Sequence, residues 1–131
     1  MKSSFVYDES FRATADYSTK QYYAMKLGAE DYVTLAAAAT DRCVGVLQNK
    51  PAAAGRGANV RILGITQAIS DGSGTAIAVG DYVGPNSSGK MVKKATADYN
   101  AMGLALQASS ADGTIIRVLL MPGAWFRTAG G

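Results

Sequence analysis

The amino-acid sequence repeats a pattern of three short apolar stretches between Asp31 and Leu120. The first copy contains Asp31-Tyr32-Val33, Val44-Gly45-Val46-Leu47-Gln48 and Val60-Arg61-Ile62-Leu63, and the second contains Asp81-Tyr82-Val83, Met102-Gly103-Leu104-Ala105-Leu106-Gln107 and Ile116-Arg117-Val118-Leu119. The two copies lie about 50 to 58 residues apart, and glycine-containing gaps separate the stretches. Self-similarity over such a distance usually indicates a repeated structural unit, and says less about a catalytic or binding site. Because each stretch has the length of a strand, the pattern predicts a small all-β scaffold with internal similarity.

The rest of the chain fits one all-β domain. Short apolar runs alternate with glycine-containing turns at intervals of about ten residues, which indicates a sandwich or a barrel of short strands. A length of 131 residues allows a single domain with an additional arm. We therefore divide the sequence into an extended N-terminal arm (residues 1–20), a β-rich domain (residues 21–121) and a C-terminal tail (residues 122–131).

Aromatic residues are concentrated in the arm and in the tail. The arm carries Phe5, Tyr7, Phe11 and Tyr17 among polar residues, and disordered segments are usually poor in aromatic side chains. An arm of this kind docks either on its own domain or on a neighbouring molecule, and the sequence leaves both alternatives open. The tail carries the adjacent pair Trp125 and Phe126, for which packing in the core is the alternative to an interface. Since large aromatic residues often anchor interfaces, we predict contacts with a partner protein or with other subunits at Phe5, Tyr7, Phe11, Tyr17, Trp125 and Phe126.

Composition argues against several classes of catalytic site. The chain has no histidine, so it lacks the commonest general base and the commonest metal ligand. Its one cysteine, Cys43, precedes an apolar run and is predicted to be a small buried hydrophobic residue. The acidic residues show no convincing paired spacing. We predict no enzyme activity, no catalytic residue, no metal site and no cofactor.

One glycine-rich stretch resembles a phosphate-binding loop. Gly84-Pro85-Asn86-Ser87-Ser88-Gly89-Lys90 fits the G-x-x-x-x-G-K pattern. Met91 follows where the motif needs a serine or threonine for Mg²⁺, and Val92-Lys93-Lys94 has the pattern of a strand and lacks that of a helix. The stretch is therefore predicted to be a polar hairpin turn. A nucleotide hydrolase built on it is the weakest of the functional hypotheses.

Charge gives a second functional alternative. The net charge is +3, and the basic residues are scattered along the sequence, whereas nucleic-acid-binding proteins more often gather them on one face. A small barrel that binds single-stranded nucleic acid would need aromatic platforms beside positive charge. Tyr22, Tyr23 and Tyr82 with Lys26, Lys93 and Lys94 are the candidates. Arg61 and Arg117 hold equivalent places in the two copies, either pairing locally or making a contact between subunits.

The succession of motifs resembles one known family, the capsid decoration (cement) proteins of tailed bacteriophages. The resemblance covers residues 21–121 and rests on the order of the elements, with no single specific motif. The matching stretches are Val33-Thr34-Leu35-Ala36-Ala37-Ala38-Ala39-Thr40-Asp41, Gly45-Val46-Leu47-Gln48-Asn49-Lys50-Pro51, Val60-Arg61-Ile62-Leu63-Gly64-Ile65-Thr66, Ile77-Ala78-Val79-Gly80-Asp81-Tyr82-Val83, Gly103-Leu104-Ala105-Leu106 and Asp112-Gly113-Thr114-Ile115-Ile116-Arg117-Val118-Leu119-Leu120.

This resemblance implies a compact barrel or a β-tulip-like sandwich that binds the outer surface of an expanded phage head and stabilises it. The implied partners are the major capsid protein and other copies of the chain, as a homotrimer. The implied location is the outside of the virion, after synthesis in the host cytoplasm, with no membrane and no direct nucleic-acid partner. No apolar stretch has the length of a membrane span, and the N-terminus lacks the apolar core of a signal peptide, which agrees with this expectation.

Overall fold

The protein is described from a computed structural model, which covers residues 5–95 and 101–121. This described part contains nine β-strands and no helix. The strands are β1 (Tyr7–Ala13), β2 (Ala24–Leu27), β3 (Tyr32–Leu35), β4 (Cys43–Leu47), β5 (Gly57–Asp71), β6 (Tyr82–Pro85), β7 (Met91–Lys93), β8 (Gly103–Ala105) and β9 (Asp112–Leu120). The prediction of an all-β fold made of short strands is confirmed.

Two five-stranded barrels share strand β5. The first barrel has the strand order β1-β3-β2-β4-β5 and closes where β1 pairs with β5. The second has the order β5-β7-β6-β8-β9 and closes where β5 pairs with β9. Residues 57–63 of β5 belong to the first barrel, and residues 64–71 belong to the second. Closure reduces the number of open strand edges that could pair with other chains.

The second barrel repeats the strand pairing of the first at a constant distance along the chain. The pairs of the second barrel lie 58 positions after those of the first (103 − 45), so that Met25–Gly45 corresponds to Val83–Gly103, Leu47–Val60 to Ala105–Val118, and Leu27–Val33 to Pro85–Met91. The parallel pair Ala13–Val33 has its counterpart in Ser70–Met91, where β5 is offset by 57 positions (70 − 13) beside the register shift between Ser70 and Asp71. Strands β1 to β5 therefore have counterparts in the second part of β5 and in β6 to β9.

Six of the seven described residues with positive φ follow the same repeat. Three residues of the first barrel and three of the second adopt this conformation at the same spacing, namely Tyr22 (73°) and Gly80 (92°), Asp31 (68°) and Gly89 (82°), and Gly55 (85°) and Gly113 (87°). Residues other than glycine seldom adopt positive φ. That Tyr22 does so where its counterpart is glycine shows that the backbone path is duplicated even where the side chains differ.

The structure corrects the repeat that was inferred from the sequence. Tyr32 lies in β3, whose counterpart is β7, whereas Tyr82 lies in β6, whose counterpart is β2. Arg61 corresponds to Leu119, which places it two residues away from equivalence with Arg117. Because strand side chains alternate with a period of two, a shift of two residues preserves the apolar pattern. The pattern alone therefore does not reveal that Arg61 and Arg117 are not equivalent.

The boundary predicted for the N-terminal arm also changes. Residues 7–13 form β1, which is part of the wall of the first barrel, and the backbone N–H of Tyr17 donates to the carbonyl of Pro51. Of the two alternatives for the arm, this stretch docks on its own domain. The stretch lies on the first barrel because Ala13 and Tyr17 are buried in the core of that barrel.

The two barrels have adjoining cores and are joined by backbone hydrogen bonds. One buried cluster fills the first barrel, and the other fills the second and includes Cys43 and Val46 of β4. The N–H of Ile69 donates to the carbonyl of Tyr22, and the N–H of Ala24 donates to that of Gly89. The start of β2 thus lies against the second barrel, and these two bonds join the barrels at this point.

Candidate functional site

The six aromatic residues predicted as contacts have different positions. Phe5 is 91% exposed and Tyr7 is 50% exposed, so both are available to a partner. Phe11 packs against the core of the first barrel, and Tyr17 belongs to that core. Trp125 and Phe126 lie outside the described residues. Phe5 and Tyr7 are therefore the most exposed of the four candidates that the structure describes, and Phe11 is half-buried.

Tyr17 has a structural role that the sequence did not reveal. Its hydroxyl group lies 2.8 Å from Oγ1 of Thr14 and 3.1 Å from Oγ1 of Thr34, and it accepts a hydrogen bond of 3.1 Å from the N–H of Leu35. These bonds tie the segment after β1 to strand β3. Tyr17 therefore fastens the chain to its own barrel and is not available to a partner.

Replacing Tyr17 with phenylalanine is expected to lower the free energy of unfolding by about 1–3 kcal/mol, because the partly buried N–H of Leu35 loses its acceptor. Chemical denaturation measures this change. Binding to the partner should be the same as that of the wild type once the folded fraction is matched. Normal stability together with weakened binding would contradict this prediction and would indicate that Tyr17 contacts the partner.

An exposed apolar patch lies where the two barrels meet. It consists of Phe5, Val6, Tyr7, Leu63 and Ile65, and is called the junction patch below. Tyr7 pairs with Leu63 across the sheet. A Cβ atom at Gly64 would collide with the carbonyl oxygen of Phe5, so the missing side chain lets the N-terminal segment lie directly on β5. Exposed apolar groups gathered in one place are typical of interaction sites.

Strand β1 has an open edge beside this patch. Only Arg12 and Ala13 pair with β3, whereas the pairing with β5 begins at Tyr7. Within the described residues, the edge of β1 from Tyr7 to Ser10 that faces away from β5 has no partner strand. The N–H of Ser10 donates instead to the carboxylate of Glu9, at 3.1 Å. An edge of this kind can pair with an extended segment of another protein.

Two buried titratable groups lie near each other but form no reactive site. Nζ of Lys94 donates to the carbonyl of Ala39 at 3.0 Å, and burial lowers the pKa of Lys94 to about 8. Burial also raises the pKa of Cys43 to about 12, with a further contribution from the charge of Asp41. A thiol with such a pKa is a poor nucleophile at neutral pH. The prediction that Cys43 is a buried hydrophobic residue is confirmed.

The stretch that resembled a phosphate-binding loop is a hairpin turn between β6 and β7. Oδ1 of Asn86 accepts hydrogen bonds from the N–H groups of Ser88 (2.8 Å) and Lys90 (3.0 Å). Nζ of Lys90 lies 2.7 Å from a carboxylate oxygen of Asp112. The N–H groups and the lysine that would hold a phosphate are therefore already bonded, and the interpretation as a hairpin is confirmed.

The lysines that were candidates for nucleic-acid binding do not form a basic face. Lys26 pairs with Asp41 at 3.0 Å and Lys93 with Asp81 at 3.7 Å, while Lys94 is only 2% exposed. Their charges are compensated or buried. The structure therefore gives this alternative no support from these residues.

Residues 5–95 and 101–121 contain no set of three or more Cys, Asp or Glu side chains that could hold a metal ion. Across the same described residues, no helix long and apolar enough to span a membrane occurs.

Comparison with known proteins identifies one family and one similar fold. The sequence profile described as phage cement protein matches residues 13–120. The crystal structure of the head fiber gp8.5 N base of bacteriophage phi29 is similar, with a TM-score of 0.60 and 20% sequence identity. The match covers 90% of this chain and 96% of that chain, and at this identity it shows the fold alone. No curated protein sequence matches the chain.

Proposed function

Because the chain belongs to the phage cement protein family and is therefore a structural protein of the phage head, we propose that it binds the outer surface of the capsid and stabilises the expanded shell. The observation that carries this proposal is the family match, which covers residues 13–120 and so includes every strand after β1. The major capsid protein is the proposed partner. The protein would be made in the host cytoplasm and join the head from outside.

The junction patch and the open edge of β1 are the surfaces proposed to contact the shell. The patch offers apolar area that water would otherwise cover, and each 100 Å² buried contributes about 2.5 kcal/mol before the costs of association. The open edge offers backbone hydrogen bonds, which require little of the partner's sequence. Phe5 belongs to the patch, and Tyr7 takes part in both surfaces. Many copies acting across subunit seams would stabilise a lattice more than the affinity of one copy implies.

Heating of expanded heads with and without bound protein tests the stabilising role. Heads that carry the protein should release their DNA at a higher temperature or after a larger osmotic step, because unfolding or separation of the shell must also break the added contacts. Adding purified protein back to bare heads should restore the difference. Equal rupture of both kinds of particle would contradict the proposal.

A pair of variants tests the surface. Replacing Phe5 and Leu63 together with serine should weaken binding to bare heads by about tenfold or more, since anchor residues of interfaces often contribute more than 1 kcal/mol each. Val79→Ser is the matched control, because Val79 is 68% exposed and lies outside the junction patch. Sedimentation of heads with labelled protein measures binding. If both variants bind like the wild type, the junction patch is not the contact surface.

Self-association as a homotrimer is proposed as well, on the basis of the family resemblance. Sedimentation equilibrium should then give three times the chain mass of 13.6 kDa. A single species of one chain mass at micromolar concentration would contradict the trimer without affecting the proposed binding to the capsid.

A further inference from the structure

A groove between the two barrels adjoins the junction patch. It has a volume of about 290 Å³ and is lined by Tyr22, Gln48, Arg61, Thr66, Gln67 and Arg117. Ile65 lines its rim and belongs to the junction patch too. The groove arises because β5 passes from one barrel to the other while the chain around Tyr22 bonds to Ile69. We call it the arginine groove.

The two arginines of the groove differ in how their charge is compensated. Nε of Arg61 lies 2.8 Å from Oδ1 of Asp8, and its NH1 group donates to the carbonyl of Ile65 at 2.9 Å. Within the described residues, the guanidinium of Arg117 has no acidic partner, and no acidic residue lines the groove. The groove therefore has one uncompensated positive charge, on the strand opposite Gln67.

The polar groups around Arg117 are held in place by the fold. Nε2 of Gln48 donates to the carbonyl of Val46 at 3.0 Å and to Oγ1 of Thr66 at 2.8 Å, and the Thr66 hydroxyl donates to the carbonyl of Gln67 at 2.8 Å. These bonds fix the Gln48 amide and the floor of the groove. Binding of a ligand therefore costs little side-chain conformational entropy at these positions. The Arg117 N–H is held by Oε1 of Gln107 at 2.9 Å.

A carboxylate fits this arrangement well. A guanidinium donates two parallel hydrogen bonds to a carboxylate, and the pair is strongest where part of the surrounding water is excluded. Four of the chain's own carboxylates already pair with basic side chains, namely Asp8 with Arg61, Asp41 with Lys26, Asp81 with Lys93, and Asp112 with Lys90. Glu30 and Asp31 are exposed and form no salt bridge within the described residues, so a carboxylate from a second copy is one outcome that the test below must distinguish.

We propose that the arginine groove receives an aspartate or glutamate side chain of the major capsid protein, and that apolar residues beside it cover Leu63 and Ile65. This inference rests on the proposed function and adds the chemistry of the contact. It assigns Arg117 as the residue that selects an acidic partner, while the junction patch supplies apolar area. Electrostatic complementarity of this kind contributes mainly to specificity and to the rate of association.

Charge reversal at Arg117 tests the assignment on expanded heads that lack the protein. Arg117→Glu should weaken binding by about tenfold or more and slow association, and the loss should shrink as salt increases because screening weakens the repulsion. Arg56→Glu is the matched control, since Arg56 is exposed on a loop away from the groove and the substitution changes the net charge equally. Denaturation curves of both variants verify that they fold.

The outcomes separate this inference from the proposed function. If wild-type protein binds heads and both variants bind as the wild type does, the groove is not the contact and the inference fails alone. If Arg56→Glu weakens binding as much as Arg117→Glu, the effect is one of net charge and the inference also fails. If Arg117→Glu dissociates an oligomer of the free protein, the occupant is a second copy. If the wild type does not bind heads, the proposed function itself fails.

Discussion

Gly45→Ala and Gly103→Ala should each destabilise the protein by about 3 kcal/mol or more, because a methyl group at either position would overlap the main chain of the facing strand. A Cβ at Gly45 would collide with the carbonyl oxygen of Arg61, and a Cβ at Gly103 would collide with that of Leu119. These backbone atoms cannot move aside as the end of a flexible side chain could. A total stability of about 5–15 kcal/mol is typical of a domain, so either change could unfold a large fraction of the protein.

The controls for this prediction lie in the same chain. Gly57 and Gly74 have open space where a Cβ would be added and no positive φ, so alanine there should change stability by no more than about 1 kcal/mol. Urea denaturation followed by circular dichroism measures all four variants. Because Gly45 and Gly103 are counterparts in the two barrels, we expect similar losses from both. A loss at Gly45 without one at Gly103 would contradict the equivalence of the two close contacts.

The dependence of stability on pH above 8 is the second large effect. The pKa of Lys94 is about 8 in the folded protein, because burial disfavours the charged amine. A lysine exposed to water, as in the unfolded chain, has a pKa of 10.5. Between these values the unfolded chain binds the proton more tightly than the folded chain does. The free energy of unfolding should therefore increase as pH rises from about 8 to 10.5, with a total gain of order 3 kcal/mol. Below pH 8 both states are charged, and the cost of burial is fully present.

Cys43 opposes this increase at the upper end of the range. Its pKa is raised from 9.0 to about 12, so above pH 9 the unfolded chain loses the thiol proton first and folding becomes less favourable. The wild type should therefore gain stability from pH 8 to 9 and change little from 9 to 10.5. Cys43→Ala should continue to gain up to pH 10.5.

A comparison of two variants isolates the lysine. The free energy of unfolding of Cys43→Ala is compared, at several pH values, with that of the double variant that also carries Lys94→Met. The value for Cys43→Ala minus that for the double variant should increase from about pH 8 to 10.5, following the titration of Lys94. Tyrosines and the other lysines contribute equally to both and cancel. If the two variants show the same pH dependence, Lys94 titrates in the folded protein as it does in water, and its ammonium group is solvated.

Several elements of this fold could be predicted because their causes are local. The hairpin between β6 and β7 is specified by the turn residues from Asn86 to Gly89, and the side chain of Asn86 bonds within that turn. The apolar run after Cys43 forms β4 where the pattern placed a strand. The buried state of Cys43 also follows from its neighbours in sequence.

The candidate site was predicted only in part. Phe5 and Tyr7 are exposed as expected, but Phe11 and Tyr17 face the first barrel, and aromatic composition alone does not distinguish the two cases. No sequence pattern predicted the arginine groove, because Gln48, Arg61 and Arg117 lie in or next to three different strands. Their proximity depends on the pairing of β4, β5 and β9.

The sequence by itself determined that the chain forms short strands joined by tight turns, with a weak internal repeat and without histidine, the commonest general base. Only the tertiary structure decided how the two halves correspond, that β5 is shared by two barrels, and which aromatic residues face outward. The reason is the period of two along a strand, which leaves register undetermined until neighbouring strands are paired. Pairing across distant parts of the chain, including that of β2 with β4 and of β6 with β8, then fixed the 58-residue correspondence that the apolar pattern alone had placed incorrectly.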